Sequence, residues 1–214
     1  QPSWRDRTKI FGYFNEFTKR FNETEVLKKM YEATFKEDSF ITVLDEMNIS
    51  RIEYYFADFL SILEYPPAEW KIKVYEPELN QVLPKKLEGG YVTIPDTTWF
   101  IGTANNDDST MAISDKVYDR AMIIDLDRRA LPFDAPETEP YAVSYDKLAE
   151  LVTSAKRRYG LTLRNRRRIE RLDAYLIENL GITFGNRIMR QIESYVPVYV
   201  ACGGSELEAI DTVL

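Results

Sequence analysis

Apolar positions follow two rhythms along this chain, and the change comes just after Asp127. Before it, short apolar runs alternate with helical spacings. Phe40-Ile41-Thr42-Val43-Leu44 is a continuous apolar and β-branched run, the pattern of a parallel strand buried on both faces, and it ends in Asp45-Glu46. Ile49, Ile52, Phe56, Phe59 and Leu63 then recur at spacings of three and four. With Ser50 and Glu53 in a capping-box pattern, they predict one amphipathic helix stopped before Pro66-Pro67. Trp70–Val74 and Gly90–Ile94 alternate like the arms of a hairpin around the excursion Leu79–Glu88. Trp99–Gly102 predicts a second buried strand and Ala121–Leu126 a third, preceded by a short helix around Asp115–Arg120. Upstream, Asn22-Glu23-Thr24-Glu25 offers a cap for a helix reaching about Lys36, while Gln1–Phe21 has no clean period and predicts a shaped loop.

Strands separated by helical patterns predict a parallel, layered α/β domain over residues 1–130. Leu131–Pro140 carries three prolines, and 131–143 reads as a linker. Beyond it the rhythm is helical throughout. Ser144–Arg158 has Leu148, Leu151, Val152 and Ala155 on one face. Arg164–Leu180 has Ile169, Leu172, Leu176 and Leu180, with Gly181 as its stop. A third helix begins near Gly185, and Ser205 with Glu208 opens a fourth, giving a helical subdomain over 144–214.

Composition narrows the chemistry. With no histidine and a single cysteine, Cys202, the chain has no imidazole acid or base, no Ser-His-Asp or Cys-His pair, no internal disulfide and no Cys-rich zinc site. Reactivity falls to carboxylates, amides, hydroxyls and arginines. The formal charge of -7 argues against non-specific adhesion to nucleic acid by the chain as a whole. No run of eighteen apolar residues and no signal-peptide pattern occurs, so no membrane association and a cytoplasmic location are expected.

Ligands of parallel sheets collect at the carboxyl ends of strands, and two of the three predicted strands end in polar residues there. An apolar run closing in Asp45-Glu46 is what a P-loop-class nucleoside triphosphatase needs: one carboxylate for the Mg²⁺ shell, the next to polarise the attacking water. A strand that happens to stop in acidic loop residues has the same form. Asn105, after the second strand, is either an amide aimed at a γ-phosphate and its water or an asparagine in a tight turn. Arg120 is either a finger for a neighbouring subunit's site or a surface ion pair with Asp119 or Asp115.

Phe40–Glu64, Trp99–Asp108 (WFIGTANNDD), Lys116–Asp125 (KVYDRAMIID) and Gly185–Gly203, taken together and in this order, resemble an AAA+ NTPase of the McrB-like group. The resemblance implies a P-loop AAA+ parallel sheet followed by a helical lid. It makes LDEMN a Walker B segment, with Asp45 associated with Mg²⁺ and Glu46 as the catalytic glutamate. It makes Asn105 sensor 1, with Asp108 keeping the Asn-x-x-Asp spacing. Arg120 becomes the first choice for an arginine finger, with Arg128 and Arg129 as alternatives, and Arg187 becomes sensor 2, with Arg190 as its competitor. It further implies ATP or GTP as substrate, a homo-oligomeric ring, a hexamer in the first instance, a McrC-like nuclease partner, and DNA as a target.

One family element is missing. No G-x-x-x-x-G-K-[ST] occurs, and the family places that loop upstream of where these residues begin. The chain is therefore expected to be the portion following the loop, without the family's first, central strand, and inactive by itself. A non-hydrolysing scaffold is the rival expectation. Lys156–Arg171, with eight basic residues and one acid, reads as a phosphate-gripping segment, a solvated face or a contact for an acidic neighbour. Tyr54-Tyr55-Phe56 and Trp4, Phe11, Tyr13 and Phe14 read as either core or substrate-contacting aromatics.

Overall fold

The computed structural model describes residues 4–77, 84–126, 129 and 131–214. The chain divides into two compact units, Gln1–Ala121 and Met122–Leu214. In the first, the elements run α1 (Thr8–Phe11), β1 (Gly12–Asn15), β2 (Arg20–Glu23), α2 (Glu25–Ala33), β3 (Phe40–Leu44), α3 (Ile52–Tyr55), α4 (Ala57–Ile62), β4 (Lys71–Lys73), β5 (Tyr91–Thr93), β6 (Thr98–Gly102) and α5 (Asp115–Tyr118). The second holds α6 (Tyr145–Arg158), α7 (Leu163–Leu180), α8 (Gly185–Ala201) and α9 (Glu206–Val213). The fold is mixed α/β: β3 and β6 pair in parallel, while β1 with β2 and β4 with β5 form antiparallel hairpins.

Local chemistry accounts for several helix boundaries. Thr24 caps α2 by accepting from the Leu27 N–H, Ser144 caps α6 and Thr162 caps α7. Ser205 and Glu208 complete a reciprocal capping box at α9. Gly181 ends α7 at φ 67°, a left-handed position that favours glycine. The β4–β5 hairpin matches its expected arms; of the excursion between them, residues 79–83 lie outside the described residues.

Three expectations are corrected. Gln1–Phe21 is not a shaped loop: α1, all of β1 and the start of β2 fall within it. The helix expected from Ile49 to Leu63 breaks at Phe56 (φ -109°, ψ 9°) into α3 and α4, and no side chain caps α3. Ala121–Leu126 forms no strand, and Ile124 and Leu126 are exposed. A strand exists only through a ladder partner, and apolar composition alone supplies none.

The core of the first unit gathers Ile10, Phe11, Phe59, Ile72, Val92 and Ile94, with Phe100 of β6 packed on it. Phe56 and Phe59 stack at 4.5 Å between ring centroids, and Phe100 meets them at 5.3 and 5.0 Å. Tyr55 and Phe56 are thus core residues and Tyr54 is exposed. Phe11 is likewise buried, and Trp4 packs edge-on against Tyr55 at 5.4 Å. In the helical unit Ile169, Ile192, Val196, Ala209 and Ile210 form a separate core.

The parallel pair is covered on one side only. Ile41 pairs with Trp99 and Val43 with Ile101, and these four share a face on which Val43 is 57% and Ile101 48% exposed. Burial on both faces, expected from the run at Phe40–Leu44, therefore holds for one. Parallel sheets ordinarily lie beneath cover on both sides, because each face is a continuous apolar surface. Replacing Ile41 and Ile101 with threonine should lower the fluorescence of bound anilinonaphthalene sulfonate by about half, with the unfolding free energy unchanged to within about 0.5 kcal/mol. Unchanged dye fluorescence would place the dye site elsewhere.

Candidate functional site at the strand ends

The site begins with register. Phe40 lies opposite Thr98 and Leu44 opposite Gly102, so the segments after Leu44 and Gly102 leave the sheet at the same end. Asp45-Glu46 and Thr103-Ala104-Asn105 are those segments. Gly102 lies close beneath the Met47 thioether, and a side chain there would have to push that flexible side chain aside.

Thr103 ties the two ends together. Its N–H donates to the Leu44 carbonyl at 3.0 Å, and its carbonyl accepts from the Met47 N–H at 2.8 Å. Its hydroxyl donates to Asp45 Oδ1 at 2.8 Å and accepts from the Glu46 N–H at 2.8 Å. These bonds hold Glu46 in a left-handed conformation, φ 49° and ψ 50°. For a residue with a Cβ that turn costs about 1–2 kcal/mol. Such strain persists where surrounding bonds over-determine it, and it clusters at functional positions. Glu46 and Asn105 are exposed, and neither side chain has a polar partner among the described residues.

Asn48 fixes the second loop from beneath. It is only 4% exposed. Its amide nitrogen donates to the Asn105 carbonyl at 2.7 Å and the Met111 carbonyl at 3.2 Å, and its oxygen accepts from the Asn105 N–H at 3.3 Å. Thr110 adds a hydroxyl bond to the Asn105 carbonyl at 2.8 Å. Below lies Tyr55, whose hydroxyl donates to the Met47 carbonyl at 2.8 Å; burial first, then the Glu53 charge, pushes its phenol up to about 12. Within the loop, Asp107 accepts from the Ser109 hydroxyl at 2.6 Å and N–H at 2.9 Å, and these bonds hold its carboxyl below the usual range.

Replacing Asn48 with alanine removes three hydrogen bonds, leaving the Asn105 carbonyl with only its bond from the Thr110 hydroxyl. At about 1 kcal/mol each, the first unit should lose about 3 kcal/mol, read from urea unfolding. A loss below about 1 kcal/mol would show that Asn48 does not hold the loop.

Of the other expected residues, Asp108 and Arg120 belong to the first unit, and Arg129, Arg187 and Arg190 to the second. Asp108 is exposed, three residues beyond Asn105. Arg120 bonds the Leu60 carbonyl at 2.8 Å and pairs with Glu64 at 2.9 Å, so its acidic partner is on the chain segment after α4. Arg129 is exposed, and Arg128 lies outside the described residues. Arg187 and Arg190 both stand in the first half of α8. Arg190 is among the residues lining a cavity of about 660 Å³ between α7 and α8, with Arg166, Asp173, Thr183 and Glu193. Thr103 and Asn48 escaped the sequence reading. Their signals were the polar residue directly after a strand and the Asn closing Leu44-Asp45-Glu46-Met47-Asn48.

The donor set fits Mg²⁺ in one way only. Among the described residues no group of three carboxylate, thiol or imidazole ligands exists, so an all-protein cage is absent there. Asp45 keeps one oxygen uncommitted beside Glu46, which suits an ion held mainly by phosphates and water with one carboxylate. No helix among the described residues is long and apolar enough to cross a membrane. Compared with known proteins, the chain matches no family model, no curated protein and no solved structure.

Proposed function

We propose that this chain carries the water-activating strand ends of an AAA+ nucleoside triphosphatase of the McrB-like group. The observation that supports it is the parallel register of β3 and β6, which sends Asp45-Glu46 and Asn105 off one end of the sheet. Glu46, exposed and strained, accepts the proton of the water that attacks the γ-phosphorus. Asn105 orients that water through its amide, on a backbone that Asn48 immobilises. The P–O bond to the bridging oxygen breaks, and the nucleoside diphosphate leaves with its electron pair. Asp45 would hold Mg²⁺ through water, and the ion supplies neutralisation of phosphate charge.

The phosphate cradle must come from sequence outside these 214 residues, because G-x-x-x-x-G-K-[ST] does not occur in them. Arg187, with Arg190 as competitor, remains the lid arginine of this reading. Its trans arginine is Arg120 once released from Glu64, or else Arg128 or Arg129. Assembly into a ring, hexameric in the first instance, follows from that trans role, and a McrC-like nuclease and DNA are the partners to try first. The absent cradle equally supports the rival reading, a non-hydrolysing scaffold. The deciding measurement is Mg²⁺-dependent phosphate release from ATP and GTP by the protein with its phosphate loop present. Release above background supports hydrolysis, and a protein with no turnover of either nucleotide is the scaffold.

A further inference from the structure

The helical unit carries a cationic surface that hydrolysis does not use. Residues 156–171 contribute eight of the chain's 28 basic residues and one of its 35 acidic residues. Lys156, Arg157 and Arg158 fill the last turn of α6, where positive charge suits the helix dipole and needs no further cause. In α7 the placement is reversed. Four arginines stand in its first six residues, with no acid in the first turn, so the dipole disfavours them.

The structure sorts these arginines by partner. Arg166 pairs with Glu193 of α8, and Arg168 bonds Asn165 at 3.1 Å. Arg164, Arg167 and Arg171 are exposed, and none has an ion-pair partner among the described residues. Their spacing of three and four puts them on one stripe of the helix, which continues four residues on to Tyr175, 59% exposed. Glu178 closes the stripe one turn later. From Arg164 to Tyr175 the rise is about 16 Å, roughly the axial rise of five nucleotides in a strand.

We infer that this stripe of α7 binds single-stranded nucleic acid, with Arg164, Arg167 and Arg171 on successive phosphates and Tyr175 stacked on a base. Arg171 spends only its Nε, on the Arg167 carbonyl at 3.3 Å. Guanidinium forks match phosphate oxygens in pairs, and repulsion among three arginines without an acidic partner among the described residues is relieved by a polyanion of regular charge spacing. An exposed aromatic at the end of the row distinguishes a strand with free bases from a duplex, whose bases are already stacked.

The test is fluorescence anisotropy of the whole chain with a labelled twenty-residue oligothymidylate, a duplex of equal length and polyglutamate of equal charge, over a salt series. Binding to the oligothymidylate should weaken steadily with salt. Changing Arg164, Arg167 and Arg171 together to glutamine should cut affinity at least tenfold and flatten the logarithmic salt slope by about 2, at about 0.7 per phosphate released. Tyr175→Ala should lower affinity roughly 5- to 150-fold with the slope unchanged, the range of one lost base stack, and Tyr175→Phe should restore it. Circular dichroism checks that each variant keeps its helices. Salt-independent binding, unaltered binding by the triple variant, or tighter binding of the duplex would overturn the inference. So would preference for polyglutamate, which would make the stripe a contact for an acidic protein.

Discussion

Glu46→Gln, in the protein with its phosphate loop, should lower steady-state hydrolysis by about 10²–10⁴-fold while nucleotide binding stays within a factor of about three. Glutamine keeps the length and the left-handed backbone of Glu46 but cannot take a proton from water. Its amide leaves untouched the bond from the residue-46 N–H to Thr103, so the turn itself should persist. Phosphate release and fluorescent-nucleotide titration separate the two effects. Unchanged turnover would remove Glu46 from the chemistry and with it the proposed reading of the strand ends.

Phe59→Ala should destabilise the first unit by about 3–5 kcal/mol. The ring is fully buried and is shared by Phe11, Phe56 and Phe100, stacked on the first two at 5.4 and 4.5 Å. Truncation therefore opens a cavity bounded by three rings that cannot all collapse into it. The loss is a large fraction of what a domain of this size possesses. Urea unfolding followed by tryptophan fluorescence reads the first unit, because Trp4, Trp70 and Trp99 all lie in it. The neighbouring Tyr54→Ala, at an exposed position, should change stability by less than about 0.5 kcal/mol. A Phe59→Ala loss no larger than that of Tyr54→Ala would show that this cluster does not hold the core.

Elements with local determinants were legible in the sequence. Ser205 and Glu208 marked the start of α9, Gly181 the end of α7, and the apolar runs at Phe40–Leu44 and Trp99–Gly102 the two parallel strands. The adjacency of Asp45-Glu46 and Asn105 at one sheet end was legible too, since parallel neighbours share their carboxyl ends. What escaped depends on partners distant in sequence. Ala121–Leu126 has strand composition and no ladder. The helical period runs unbroken through Phe56, yet the helix breaks there, where Phe56 meets Phe100 of β6 edge-on across more than forty residues of chain, a contact no periodicity encodes. Arg120 has acidic neighbours in sequence at Asp119 and Asp115, yet pairs with Glu64, more than fifty residues earlier. Thr103 and Asn48 matter through bonds that span 55 residues or more, invisible to any local window.

Thr103 also sets how the two strand tips respond to load. Its four bonds to Leu44, Asp45, Glu46 and Met47 are all made by one residue, so they cannot be released one at a time by sliding β6 past β3. The carboxylate pair and the asparagine loop are consequently latched: a force applied to either tip is transmitted to the other until the whole set lets go together.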